Sequence, residues 1–243
     1  GPRLLLSQPL PPRHRRPRIV ARRFRGTFML TIYAATNMPP FLIGAVRDLR
    51  AVWAAEELGL PYRLHWLDVR AGEQRADWYR ALNPFAKVPA LDDGGVHVFE
   101  SAAIVCHMAD KARRLIPAPG TPERAAHDQW LFAALNTVEP PVFQVFVHDF
   151  AYGGLDGAAA FRARAVETAR DRLASLDAVL ATRAHVAGED FAAADIVMTH
   201  VLAFVRDEAL LEGLPHLSAY RARCMARPAY RRALAIQTEG KPA

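Results

Sequence analysis

Two regimes of hydrophobic pattern divide the 243-residue chain, and this division constrains its fold more than any single motif. Over 29–113, short strand-like runs alternate with helix-like ones, whereas beyond Pro122 the apolar residues recur with helical period. An α/β part followed by a run of helices implies two packed units, and the length suffices for each to bury a core.

In the first part, residues 29–34 (Met-Leu-Thr-Ile-Tyr-Ala) form a short run of strand formers suited to a buried position. The pattern over 44–59 predicts a helix, with Val46, Leu49 and Trp53 on one face and Gly59 and Pro61 as stop signals. Tyr62, Leu64 and Trp66 alternate with Arg63 and His65, as a strand would, and a polar helix is predicted over 72–82. Two strands, 88–91 and 96–99, are joined by Asp92-Asp93-Gly94-Gly95, whose glycines suit a tight hairpin. A helix from Ser101 to Arg113 completes the order β-α-β-α-β-β-α, a thioredoxin-like arrangement. The predicted organisation is therefore a basic extension at 1–28, a thioredoxin-like α/β domain at 29–113, a linker at 114–121 and an all-helical domain at 122–240. The clearest helix lies over 158–183, where Val166, Ala169, Leu173, Leu176 and Leu180 form one stripe.

The net charge of +6 comes from one place. Residues 1–28 hold eight arginines and no acid, which leaves 23 basic against 25 acidic residues in the rest. A basic balance confined to a Pro- and Arg-rich extension, expected to be disordered, does not make the folded part a nucleic-acid binder. No apolar run reaches the roughly 18 to 20 residues of a membrane-spanning helix. Cys106 and Cys224 stand far apart with no Cys-x-x-Cys, and this usage points to a reducing, cytoplasmic setting. The nine histidines form no metal-ligand pattern, so no metal is expected.

Chemistry concentrates in Asn83-Pro84-Phe85-Ala86-Lys87-Val88-Pro89-Ala90-Leu91 and in Glu100-Ser101. Proline is tolerated where a strand begins. A cis Val88-Pro89 bond would turn the Val88 backbone groups toward a ligand. Ser101 stands where a strand ends and a helix begins, so its hydroxyl and the first free N–H groups would receive a carboxylate. Glu100 beside it would answer an ammonium group. A ligand with both an α-carboxylate and an α-amino group fits the pair, and the γ-glutamyl end of glutathione carries them. Read alone, Ser101 is more readily an ordinary N-cap and Glu100 a first-turn acid; the upstream Pro84, Lys87 and Pro89 and the strand order turn the reading toward a ligand.

These segments, with Trp53-Ala54-Ala55-Glu56-Glu57-Leu58-Gly59-Leu60-Pro61-Tyr62 and Phe191-Ala192-Ala193-Ala194-Asp195-Ile196, resemble the cytosolic glutathione transferase family, in the style of its bacterial members. The resemblance runs from Met29 to about Ile236. It implies that the residue at Val88, ahead of Pro89, holds the glutathione backbone, that Glu100 and Ser101 hold its γ-glutamyl end, and that Lys87 lies near its glycine carboxylate. It further implies a homodimer, glutathione as co-substrate, and conjugation of the thiolate to small apolar electrophiles. The alternatives on the same scaffold are a non-catalytic binding module and a glutathione-dependent isomerase or peroxidase.

Two positions depart from the family pattern. Family members stabilise the thiolate with a Tyr, Ser or Cys near the first strand and helix, but Leu42-Ile43-Gly44-Ala45-Val46 offers neither Ser nor Cys. Tyr33, Thr36 and Asn37 are the remaining candidate catalytic donors. In the helical domain the family's Ser/Thr-x-x-Asp capping box keeps Asp195 but has Ala192 at the cap. Between Glu139 and Tyr152, the residues Phe143, Phe146 and Phe150 are the candidate lining of an apolar substrate pocket.

Overall fold

A computed structural model describes residues 29–239, so the arginine-rich extension at 1–28 lies outside the described residues. The α/β part has four strands: β1 (Leu30–Thr36), β2 (Tyr62–Asp68), β3 (Ala90–Asp93) and β4 (Val96–Phe99), in the order β2-β1-β3-β4. β1 runs parallel to β2 and antiparallel to β3, and β3 runs antiparallel to β4. Helices α1 (Asp48–Leu58) and α3 (Ser101–Ala112) cover one face of the sheet, and the short α2 (Asp77–Arg80) brings Tyr79 to the other. The thioredoxin-like fold is therefore present.

Alternation along β1 divides its side chains between two cores, as a period of two requires. Leu30 and Ile32 join Leu49, Trp53, Ile104 and Met108 in the main core. Tyr33 instead packs with Leu67, Tyr79 and Ala90 on the far face.

Three elements differ from the sequence expectation. The first helix begins at Asp48 rather than near Gly44, because Gly44 takes a left-handed φ of 79° that cannot propagate a right-handed helix. The helix predicted over 72–82 is broken into a 3-10 turn at Glu73–Arg75 and the four-residue α2, separated by extended Ala76. β3 starts at Ala90 rather than at Val88, since Pro89 has no N–H to contribute to the ladder.

The rest is helical: α4 (Pro122–Ala133), α5 (Glu139–Val147), α6 (Ala158–Leu180), α7 (Ala193–Leu202), α8 (Pro215–Met225) and α9 (Pro228–Glu239). Five-residue π-helical turns join α4 to α5 and extend α5 through Tyr152. α7 is buried along its whole length, and α1 packs against both α7 and α9. The two parts thus share one core. On α6 the buried stripe is Ala165, Ala169, Leu173, Leu176 and Leu180, with Val166 only partly covered. Among the described residues no helix is long and apolar enough to cross a membrane.

Candidate functional site

The candidate residues lie along the carboxyl end of β1, the segment leading into α1, the loop before β3 and α5, whereas Glu100 and Ser101 at the start of α3 line neither of the two cavities formed there. The loop before β3 is shaped by side chains. Asn83 donates from Nδ2 to the Lys87 carbonyl at 2.8 Å and accepts the Phe85 N–H at 3.0 Å. The Tyr79 hydroxyl donates to the same Lys87 carbonyl at 2.7 Å. Lys87 is thereby left exposed, and Val88 stands outside the ladder, whose register with β1 ends at Tyr33↔Ala90. The Val88–Pro89 peptide is cis.

At the start of α3, Glu100 is exposed and has φ 70°, a conformation that L residues adopt only at an energetic cost and that clusters at functional positions. Ser101 next to it is buried, and its Oγ accepts a hydrogen bond at 3.1 Å from Arg50 Nη1. With a lone pair so occupied, the hydroxyl proton is free to donate to an incoming oxygen, alongside the uncapped N–H groups of the first turn.

Arg50 is fully buried and centres a polar cluster that the sequence pattern did not single out. Its Nη2 donates to Glu139 Oε2 at 2.6 Å and its Nε to His200 Nδ1 at 3.1 Å. His200 Nε2 in turn lies 3.1 Å from the Val46 carbonyl. Burial, reinforced by Arg50, pushes the His200 imidazole well below its ordinary pKa, so the ring is neutral, accepting on Nδ1 and donating from Nε2. Burial alone would raise Glu139, but Arg50 and then Arg47 outweigh it and hold the carboxyl below its usual range. Arg47 donates to Glu139 Oε1 from Nε at 2.8 Å and also from Nη2. One signal in the sequence pointed here: Arg50 lies on the face of the first helix that carries Trp53, where a charge needs a buried partner.

Arg47 carries this cluster to the edge of a cavity of about 340 Å³. Phe143, Phe146 and Phe150 line that cavity together with Lys87 and Val88, so the aromatic stripe and the loop before β3 meet. Phe41 and Phe204 complete the aromatic wall. Phe41 stacks on Phe150 at 4.8 Å between centroids, and Phe204 meets the Phe143 ring edge-on at 5.1 Å. Neither was singled out from sequence, because each reaches the cavity from a different element.

The candidate thiol-activating residues fall in two places. Thr36 and Asn37 line an adjoining cavity of about 510 Å³, and Leu42 and Val46 line both cavities. Asn37 has φ 58° and donates from Nδ2 to Asp68 at 2.7 Å. Tyr33, expected at the end of the first strand, sits at its middle, because β1 continues to Thr36. Its ring packs between His65 and Tyr79, at 5.0 and 5.7 Å, and it lines neither cavity. Burial and then the Asp92 carboxylate raise the pKa of its phenol. Among the described residues no group of three or more His, Cys, Asp or Glu is placed to hold a metal.

Known proteins resemble this chain in sequence and in fold. The sequence profile of the glutathione S-transferase N-terminal domain matches residues 49–111, and that of the glutathione S-transferase C-terminal domain matches residues 135–228. Glutathione S-transferase 4 of Zea mays is 34% identical over 186 residues, covering 74% of this chain and 83% of that protein. Glutathione S-transferase F10 of Arabidopsis thaliana is 28% identical over 214 residues, with 84% and 95% covered. A glutathione transferase family member from Pseudomonas fluorescens, solved with two glutathione bound, superposes with a TM-score of 0.76 at 25% identity, covering 87% of this chain and 95% of that one. A glutathione transferase from Burkholderia graminis, solved with two glutathione molecules per subunit, gives 0.75 at 26% identity, covering 85% and 88%. With two domain profiles, a relative above 30% identity and one fold in common, the chain belongs to the glutathione S-transferase family.

Proposed function

We propose that the protein is a glutathione transferase that joins the glutathione thiolate to small apolar electrophiles. One observation carries this reading: Lys87 and Val88, from the loop expected to hold glutathione, line the same cavity as Phe143, Phe146 and Phe150. In the proposed complex the γ-glutamyl carboxylate lies on the Ser101 hydroxyl and the first turn of α3, and Glu100 faces the ammonium. The Val88 backbone aligns the cysteinyl unit ahead of Pro89, and Lys87 lies near the glycine carboxylate. The thiol then points toward the segment from Thr36 to Val46, with the electrophile resting on the aromatic wall.

In the reaction the thiol proton passes to solvent and the sulfur lone pair forms the new S–C bond. The electrophile either expels a leaving group with its electron pair or, in an addition, takes up a proton on the adjacent carbon. A free thiol titrates near 8.5, so each unit of lowering needs about 1.4 kcal/mol of preferential thiolate stabilisation. Thr36 and Asn37 are the donors assigned to that task. Tyr33 is not, since its ring is engaged on the far face of the sheet. The same proposal includes a homodimer, a cytoplasmic setting and a detoxifying role.

A second reading, a non-catalytic binding module, draws on the segment from Leu42 to Val46, which holds neither Ser nor Cys where the family resemblance leads one to expect a thiol-activating group. Calorimetry on wild type and Ser101→Ala tests the first requirement. Binding at about 1 mM or tighter that weakens in the variant supports the site, and no binding by wild type overturns the transferase. Turnover of a neutral aryl halide or enal separates the two readings. Binding without turnover favours the module, and turnover lost in Asn37→Ala but kept in Tyr33→Phe supports the assigned donors.

A further inference from the structure

An apolar pocket for neutral electrophiles needs no charge on its wall, yet this one has two, both positive. Arg47 and Lys87 are the charged residues lining the aromatic cavity, and among the described residues no acid lines it. Glu139, the carboxylate nearest in the network, is shared by Arg47 and the buried Arg50. With His200 neutral, two cations against one anion leave the cluster with a net charge of about +1 beside an aromatic cavity.

The geometry of Arg47 directs that excess toward the cavity. Its guanidinium carbon lies 4.7 Å from the centroid of the Phe143 ring and 5.5 Å from that of Phe204. The two bonds it makes, from Nε and Nη2, both go to Glu139 Oε1, and among the described residues no acceptor takes its Nη1. The side chain keeps 38% of its surface exposed and lines the cavity. A guanidinium lying over an aromatic ring, with Nε and Nη2 bonded to one carboxylate oxygen and Nη1 left without an acceptor, is arranged to pair with an anion.

We infer that the electrophile subsite selects aromatic substrates bearing an anionic group, with Arg47 as the residue that binds a carboxylate while Phe143, Phe146 and Phe150 hold the ring. This rests on the transferase reading for the identity of the cavity as the electrophile site, and assigns Lys87 to glutathione as that reading does. Removing Arg47 leaves Glu139 paired with Arg50, so Arg47→Gln strands no buried charge.

The test uses two unreactive, matched probes, biphenyl-4-carboxylate and biphenyl-4-carboxamide, titrated by calorimetry with and without saturating glutathione. The expected result is a carboxylate bound roughly tenfold more tightly than the amide, equivalent to about 1.4 kcal/mol, with the preference abolished in Arg47→Gln and partly restored in Arg47→Lys. The preference should persist when glutathione is bound and survive in Lys87→Gln. Equal affinity for the two probes, no binding of either, or an unchanged preference in Arg47→Gln overturns the inference. Loss of carboxylate binding when glutathione is added also overturns it, because Arg47 would then serve glutathione itself. Glutathione binding, read in the same titrations, reports separately on the transferase reading.

Discussion

Arg50 Nη1 lies 3.1 Å from Ser101 Oγ, and this bond joins the start of α3 to a buried ion cluster formed by α1, α5 and α7. The arginine is fully buried and its other donors reach Glu139 and His200. The hydroxyl that would face glutathione is therefore oriented by a residue from the opposite end of the motif pattern, and it depends on the helical part for its countercharge.

Breaking that cluster should destabilise the whole chain. Glu139→Gln leaves Arg50 buried without a countercharge, and losing one partner of a buried pair costs about 3–5 kcal/mol. Urea unfolding should show the midpoint falling with no change in slope. A shift below about 1 kcal/mol would mean that water reaches Arg50.

Asp48 predicts a pH effect. It is buried, accepts the Ala35 N–H at 2.8 Å and Gln237 Nε2 at 2.5 Å, and burial raises its carboxyl from 3.8 to about 6. A folded pKa above the unfolded one means that the folded state holds the proton more tightly. Its contribution is therefore complete below pH 3.8 and lost as pH rises through about 6. The stability of wild type relative to Asp48→Asn should fall by up to about 3 kcal/mol between pH 4 and pH 7. A flat difference across that range would contradict the burial of Asp48.

The loop before β3 should respond to its internal tethers. Asn83→Ala removes two hydrogen bonds and should cost about 1–3 kcal/mol, while weakening glutathione binding through Val88. Tyr79→Phe removes a bond to the same Lys87 carbonyl. Because both donate to one acceptor, each single variant leaves the carbonyl satisfied and only the double variant orphans it, so the double variant should lose more than the sum, as a thermal or urea double-mutant cycle will read.

The helix cap of α7 offers a gain. Asp195 Oδ2 accepts the Ala192 N–H at 2.8 Å, which is half of a capping box, while Oδ1 accepts the Val186 N–H at 3.0 Å and the Tyr220 hydroxyl at 2.8 Å. Ala192 already has the extended backbone of a cap, with φ −133° and ψ 174°. Ala192→Ser should therefore add about 1 kcal/mol in urea unfolding without altering glutathione binding. Loss of stability would mean that the serine hydroxyl cannot reach the Asp195 N–H.

Local pattern in the sequence determined the order of strands and helices, because hydrophobic period, Gly59 and the Asp92–Gly95 turn act over a few residues and need no distant partner. It also marked Val88, Glu100 and Ser101 as candidates, since one stands beside a proline and the others at a helix start. Only the tertiary structure decided what lies across from them. The Arg50–Glu139–Arg47 cluster joins positions 89 and 92 residues apart, and His200 is 150 residues from Arg50. No local pattern encodes such separations. The same holds for Tyr33, which a one-dimensional reading puts near the end of a strand. The continuation of β1 to Thr36 and the alternation of its side chains turn the Tyr33 ring to the face opposite α1, where the cluster of His65, Trp78 and Tyr79 holds it.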